Sequence, residues 1–180
     1  MASTQIALLR GINVGRAKRI AMADLRAIVE ELGFQNVRTL LNSGNVVFTS
    51  PGKGKGDSGP KIQEAIAAKL GVSSRVTVIT AAELAVAIAE NPVLEVANDH
   101  SRLLVSVLAT AADRKKLEPL SQQNWTPEVL GLGTRVAYLW CANGILESRM
   151  AVAVGRALGD GGTSRNWATI LKLKAMAEEG

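Results

Sequence analysis

Val37-Arg38-Thr39-Leu40-Leu41-Asn42-Ser43-Gly44-Asn45-Val46-Val47-Phe48-Thr49 decides how the chain is read. Residues 37–41 and 46–49 are two short apolar-rich runs. Asn42-Ser43-Gly44-Asn45 between them is a turn signal, because Asn and Gly tolerate the left-handed backbone that tight turns need. The stretch therefore predicts a β-hairpin.

Upstream, residues 22–32 predict a helix. Met22, Leu25, Ile28, Val29 and Leu32 recur at spacings of three and four and form one apolar stripe. Gly33 follows, as a left-handed residue after a helix commonly does. Residues 5–12 predict a strand, since Ile6-Ala7-Leu8-Leu9 is a near-continuous apolar run of the kind a central strand shows. Downstream lies Pro51-Gly52-Lys53-Gly54-Lys55-Gly56-Asp57-Ser58-Gly59-Pro60, a low-complexity segment expected to be a surface loop. Residues 62–70 predict a helix with Ile62, Ala65, Ile66 and Leu70 inward, and residues 75–79 a strand. The order is β-α-β-β-α-β, the ferredoxin-like arrangement.

The remainder repeats this order imperfectly. Residues 81–90 predict a helix and 93–101 an irregular linker. Residues 103–108 predict an apolar strand, and 111 to about 120 a helix capped by Thr110 with Asp113. Residues 129–132 and 135–141 predict a strand pair, and 148–158 a helix. A glycine-rich break at 159–162 and a final helix over 165–178 close the chain, with a helix where a fourth strand would fall. The expectation is an α+β protein of two tandem ferredoxin-like halves. The first spans 1–80, a helix and linker 81–101, and the second 102–180 with its extra C-terminal helix.

The chain has 180 residues, 47% hydrophobic and 21% charged, an ordinary globular composition. Its single cysteine, Cys141, excludes an internal disulfide and fits a reducing, cytoplasmic setting. The longest apolar stretch, residues 103–109, is far short of the roughly 20 residues a membrane helix needs, and no signal peptide is expected. Net charge is +5. Residues 1–61 hold nine Lys/Arg against four Asp/Glu, residues 62–147 seven against nine, and residues 148–180 five against three. The basic excess thus sits at the two ends of the chain, where it attracts anions.

In the expected topology the first and third strands are antiparallel neighbours. The end of the first strand then lies beside the hairpin turn, and the first helix begins there too. Arg10, Gly11, Asn13, Gly15, Arg16, Lys18 and Arg19 converge on Asn42, Ser43 and Asn45. Unpaired N–H groups at the helix start favour an anion. These ten residues form the candidate site for nucleic acid or an anionic small molecule. Taken singly, the glycines and asparagines read first as loop and turn chemistry, and the cations as solvated. Arg165, Asn166 and Trp167, read as opening the last helix after Gly161-Gly162-Thr163-Ser164, form a second candidate cluster. Trp167 reads first as a core residue beside Ile170 and Leu171.

Leu8-Leu9-Arg10-Gly11-Ile12-Asn13-Val14-Gly15, then Met22, Leu25-Arg26, Leu32-Gly33-Phe34, Val37-Arg38-Thr39 and Ser43-Gly44-Asn45-Val46-Val47-Phe48 resemble the family catalogued as domain of unknown function 1697. Thr163-Ser164-Arg165-Asn166-Trp167 with Thr169 and Lys172-Leu173 resembles that family's closing motif. The resemblance implies an α+β fold with ferredoxin-like parts and no assigned activity. Two departures stand out. Arg16-Ala17 replaces a glycine and a lysine-type residue, and Ala168 an asparagine, so a ligand contact made by that asparagine in relatives would be absent here.

Several chemistries are excluded. Gly11 to Gly15 has G-x-x-x-G spacing and lacks the close glycine pair of a dinucleotide fingerprint. The glycine-lysine loop contains no G-x-x-x-x-G-K-[ST], so it is no P-loop. His100 is the only histidine, and its neighbours Asp99 and Ser101 point away from it, so it makes no triad. Cys141 reads as a buried, inert thiol. One His and one Cys are too few for zinc, and no cofactor or metal is expected. No paired carboxylates and no general base stand out, which argues against acid–base catalysis. Three readings remain: a nucleic-acid-binding module, a binding protein or enzyme for a small phosphate- or carboxylate-bearing metabolite, and a structural or protein-interaction role. Aromatics are only 3% of residues, which disfavours recognition of RNA by base stacking on a sheet.

Overall fold

A computed structural model describes residues 2–52 and 58–179. The fold is mixed α+β, built on two four-stranded antiparallel sheets with helices. Residues 1–82 with 173–180 form one compact unit, and residues 83–172 the other.

In the first unit β1 (Ser3–Leu9) is followed by α1 (Met22–Glu31), β2 (Gln35–Leu40), β3 (Asn45–Ser50), α2 (Ser58–Leu70) and β4 (Val76–Thr80). The sheet order is β2-β3-β1-β4. β1 pairs antiparallel with both β3 and β4, which explains its unbroken apolar run: Ile6, Ala7, Leu8 and Leu9 are each at most 1% exposed. The alternate residues Ala7, Leu9, Val46 and Phe48 share a core with Leu25, Ile28 and Val29 of α1 and with Ile62 and Ile66 of α2. Phe48 stacks at a tilt on Phe34, with ring centroids 4.7 Å apart. Truncating a buried ring of this kind costs about 3–5 kcal/mol. Gly33, at φ 93°, ends α1 as its left-handed cap.

The chain enters α2 earlier than residue 62. Pro60 lies in the first turn of the helix, where a missing N–H is harmless, so the helix begins at Ser58. Residues 53–57 of the expected glycine-lysine loop lie outside the described residues.

After β4 come α3 (Ala81–Ala89), β5 (Leu103–Leu108), a 3₁₀ turn over Ala111–Lys116, α4 (Glu118–Ser121), β6 (Val129–Leu132), β7 (Val136–Trp140), α5 (Arg149–Leu158), β8 (Gly162–Asn166) and α6 (Trp167–Glu179), of which residues 83–172 form the second unit. The sheet order is β6-β7-β5-β8. Position for position, this repeats the first sheet.

Three expectations are corrected here. A fourth strand exists: β8 pairs antiparallel with β5 from Leu108–Gly162 to Leu104–Asn166. The final helix therefore starts at Trp167, not Arg165. The single helix expected over 111–120 is a 3₁₀ turn followed by the short α4. Pro119 has no N–H to give to the preceding turn, and it sits instead in the first turn of the new helix. Thr110 does cap the first of these: its N–H and its hydroxyl both donate to Asp113 Oδ2 at 3.0 Å.

Segment 81–101, read from the sequence as helix and linker, packs into the second unit from Glu83 onward. Arg135 Nη1 donates to Glu83 Oε1 at 3.0 Å. The Tyr138 hydroxyl donates to Ala87 O, and Thr134 N donates to Glu90 Oε1 at 2.8 Å. The last turns of α6 belong with the first unit, where Glu179 lies 3.8 Å from Arg38. Among the described residues no helix is long and apolar enough to cross a membrane.

Candidate nucleic-acid interface

The end of β1 meets the start of β3. Leu8 pairs with Asn45, and Leu9 N donates to Gly44 O at 2.9 Å. Gly44, at φ 90°, is forced by sterics as well as by its turn. A Cβ there would sit 2.8 Å from Ile12 Cδ1 and 2.9 Å from Leu9 Cβ. Of the residues expected to meet here, Asn13 reaches the turn directly, its Nδ2 donating to Asn42 O at 2.7 Å.

What organises it is Asn13. Its backbone is left-handed, at φ 55°. Its Nδ2 donates to Ile20 O at 2.9 Å and to Asn42 O at 2.7 Å, and its Oδ1 accepts from Ile20 N at 2.8 Å. The amide thus pairs with Ile20 as a neighbouring strand would and simultaneously holds the β2–β3 turn. Both N–H bonds of Asn13 are used inside the protein. Asn45 behaves likewise: it is fully buried, and its Nδ2 donates to Leu40 O at 2.7 Å and to Ser43 Oγ at 3.0 Å. These two asparagines build the site and have no N–H left to give a ligand.

Between Asn13 and Ile20 the chain forms a small β-hairpin. Asn13 N donates to Lys18 O at 3.0 Å, and Val14 bridges Ala17. Gly15 takes the first central position at φ 61° while Arg16 keeps negative φ, the pattern of a type II′ turn. Lys18 is left-handed, at φ 51°. Val14 to Arg19 are all exposed, Val14 at 70%. Arg19 Nη1 donates back to Gly15 O at 3.1 Å. Among the described residues, Arg16, Lys18 and Arg19 make no ion pair with a carboxylate.

Two further residues, Ser74 and Arg75, fix the root. Arg10 N donates to Arg75 O at 2.9 Å, and the buried Ser74 donates through Oγ to Arg10 O at 2.8 Å. No sequence signal marks Ser74, because its partner is a backbone oxygen 64 residues away. Gly11, at φ 67°, turns the chain between this root and Ile12. α1 begins two residues after Ile20, and its N-cap Ala21 offers no side-chain hydrogen bond to the first turn. Asn42 and Ser43 are exposed on the turn.

The second cluster lies in the other unit. Arg165 and Asn166 close β8, and Trp167 opens α6. Asn166 Oδ1 accepts from Thr169 N at 2.9 Å, so this helix start is capped from within. Trp167 is 3% exposed, a core residue with Ile170. Arg165 Nη1 donates to Ser164 O at 2.8 Å, and desolvation lowers its pKa to about 10. Cys141 is fully buried, and burial pushes its thiol pKa up, against a smaller opposing effect of a hydrogen bond with Ser148. Among the described residues no group of three or more His, Cys, Asp or Glu is placed to hold a metal.

Residues 2–138 match the model of the family described as protein of unknown function (DUF1697). The chain belongs to this family. The match ends before the closing motif at 163–173. No curated protein matches the chain. Among solved structures, the chain is similar to a conserved bacterial protein, SP0830, from Streptococcus pneumoniae. The two share 21% identity at a TM-score of 0.75, covering 98% of this chain and 99% of that one. At that identity the likeness concerns the fold alone.

Proposed function

We propose that this family member binds the phosphate backbone of nucleic acid through the basic hairpin at residues 13–19, with Arg10 at its root. One observation carries the reading. Lys18 holds left-handed backbone at φ 51°, and the segment around it is exposed from Val14 to Arg19, with Arg16, Lys18 and Arg19 in no ion pair with a carboxylate among the described residues. A left-handed non-glycine residue costs about 1–2 kcal/mol. Strain held in an exposed, basic segment points to a binding role, because it returns no core packing. Arg16, Lys18 and Arg19 supply the charge.

The structural role considered for the motif applies to Asn13 and Asn45, whose N–H bonds are all internal. They hold the hairpin in place for the cations. The finer description of the architecture, two tandem ferredoxin-like modules, is supported by the matching strand orders. A cytoplasmic setting is supported by the single, buried Cys141.

The test is fluorescence anisotropy with labelled mixed-sequence nucleic acid at low salt. The triple variant Arg16→Ala/Lys18→Ala/Arg19→Ala, with its thermal unfolding checked against the parent, should lose most of the affinity. Equal binding by parent and variant overturns the proposal.

A further inference from the structure

We propose that the partner is B-form duplex DNA and that the 13–18 hairpin enters its major groove. The inference rests on the phosphate-binding reading above and adds which nucleic acid is bound and how.

Proteins that hold single strands stack bases on exposed aromatic rings. This chain has six aromatic residues, and none is exposed. Phe48, Tyr138, Trp140 and Trp167 are buried. Phe34 packs on Phe48, and the half-buried Trp125 donates Nε1 to Leu120 O at 2.9 Å. The sheet offers no platform either. Ile6, Leu8 and Val47 on one side of the β1–β3 pair are as deeply buried as Ala7, Leu9, Val46 and Phe48 on the other. Bases have nowhere to stack, so single strands and RNA loops lose their usual source of affinity.

What the surface does offer is a short β-hairpin of two residue pairs, Val14–Ala17 and Asn13–Lys18. The major groove of B-DNA admits a two-stranded ribbon, whereas that of A-form RNA is too deep and narrow. The hairpin is held at its base by the Asn13–Lys18 backbone bond and by the three hydrogen bonds of the Asn13 amide. Its tip carries Arg16, a residue type suited to guanine edges or phosphate, beside Val14. Val14 is 70% exposed, an apolar side chain with no core to join. A thymine methyl in the groove is a chemically matched neighbour. Lys18 and Arg19 follow on the returning arm, where phosphates flank the groove.

The experiment compares four probes of one sequence by anisotropy at low salt: a DNA duplex, each of its strands, and the RNA duplex. The DNA duplex should bind at least about tenfold more tightly than the others, as groove-specific seating requires. Val14→Glu places a carboxylate at the tip of an exposed segment and, with its thermal unfolding checked against the parent, should abolish that preference. Single strands or RNA duplex binding as tightly as the DNA duplex overturns the groove inference and leaves phosphate binding standing. So does an unchanged preference in Val14→Glu. Failure of all four probes to bind overturns both.

Discussion

Asn13 donates from Nδ2 to the backbone oxygen of Asn42 at 2.7 Å, across 29 residues of chain. That bond ties the exit of β1 to the turn between β2 and β3. The same amide forms two more bonds, both with the backbone of Ile20. One side chain thus fixes where the basic hairpin leaves the sheet.

Asn13→Ala should therefore cost about 3–4 kcal/mol, from three hydrogen bonds worth roughly 1 kcal/mol each plus the poorer tolerance of Ala than Asn for left-handed backbone. Asn13→Gly should recover only the backbone part. Urea unfolding of the two variants checks this, and a midpoint equal to the parent's in both would contradict the role assigned to the amide.

Gly44→Ala should destabilise by at least about 2 kcal/mol. Its φ of 90° disfavours any side chain, and the added Cβ meets Leu9 Cβ at 2.9 Å, an atom fixed to the backbone of a central strand. Gly15→Ala offers the control. It shares the left-handed φ, at 61°, but nothing lies within 4 Å of its Cβ, so only the backbone penalty should appear. Equal thermal stability of the two variants would count against the close packing of the β2–β3 turn.

Asp113 carries a pH signature. The hydrogen bond from Lys116, helped by the N–H and hydroxyl of Thr110, holds its pKa below the ordinary value, although burial pulls the other way. A carboxylate with a lowered folded pKa stabilises the fold above its unfolded pKa, and the contribution fades as pH falls through the folded value. The stability gap between the parent and Asp113→Asn should be full at neutral pH and shrink below about pH 4. A gap that widens on acidification would contradict this.

Cys141 should resist thiol reagents. It is fully buried, burial raises its pKa, and its Sγ lies 3.6 Å from Leu139 O. Labelling by a maleimide should proceed only as fast as the protein opens and should accelerate with denaturant. Rapid stoichiometric labelling of the native protein would show an accessible thiol.

Much of the architecture was legible because its signals are periodic. The run Ile6 to Leu9 marks a central strand, the stripe Leu25, Ile28 and Val29 marks the buried face of α1, and Asn42 to Asn45 marks the β2–β3 turn. β8 was not legible. Gly162-Thr163-Ser164-Arg165-Asn166 has no apolar alternation, because it is an edge strand held to β5 by its backbone. The hairpin at 13–18 was missed for a related reason: it has only two residue pairs, and the side chain that fixes it bonds to backbone groups distant in sequence. The sequence shows no division of labour among the candidate residues. Only coordinates separate Asn13 and Asn45, whose N–H bonds are consumed internally, from the exposed Arg16, Lys18 and Arg19.

The central claim is that the exposed cations of this hairpin neutralise nucleic-acid phosphates. The salt dependence of binding measures it most directly. Each phosphate neutralised on B-DNA contributes about −0.9 to the slope of log K against log salt. Removing Arg16, Lys18 and Arg19 together should reduce the magnitude of the slope by about 2–3 while thermal unfolding stays unchanged. A slope identical in the parent and the triple variant would mean that the contacts lie elsewhere, and the account of the hairpin would be wrong.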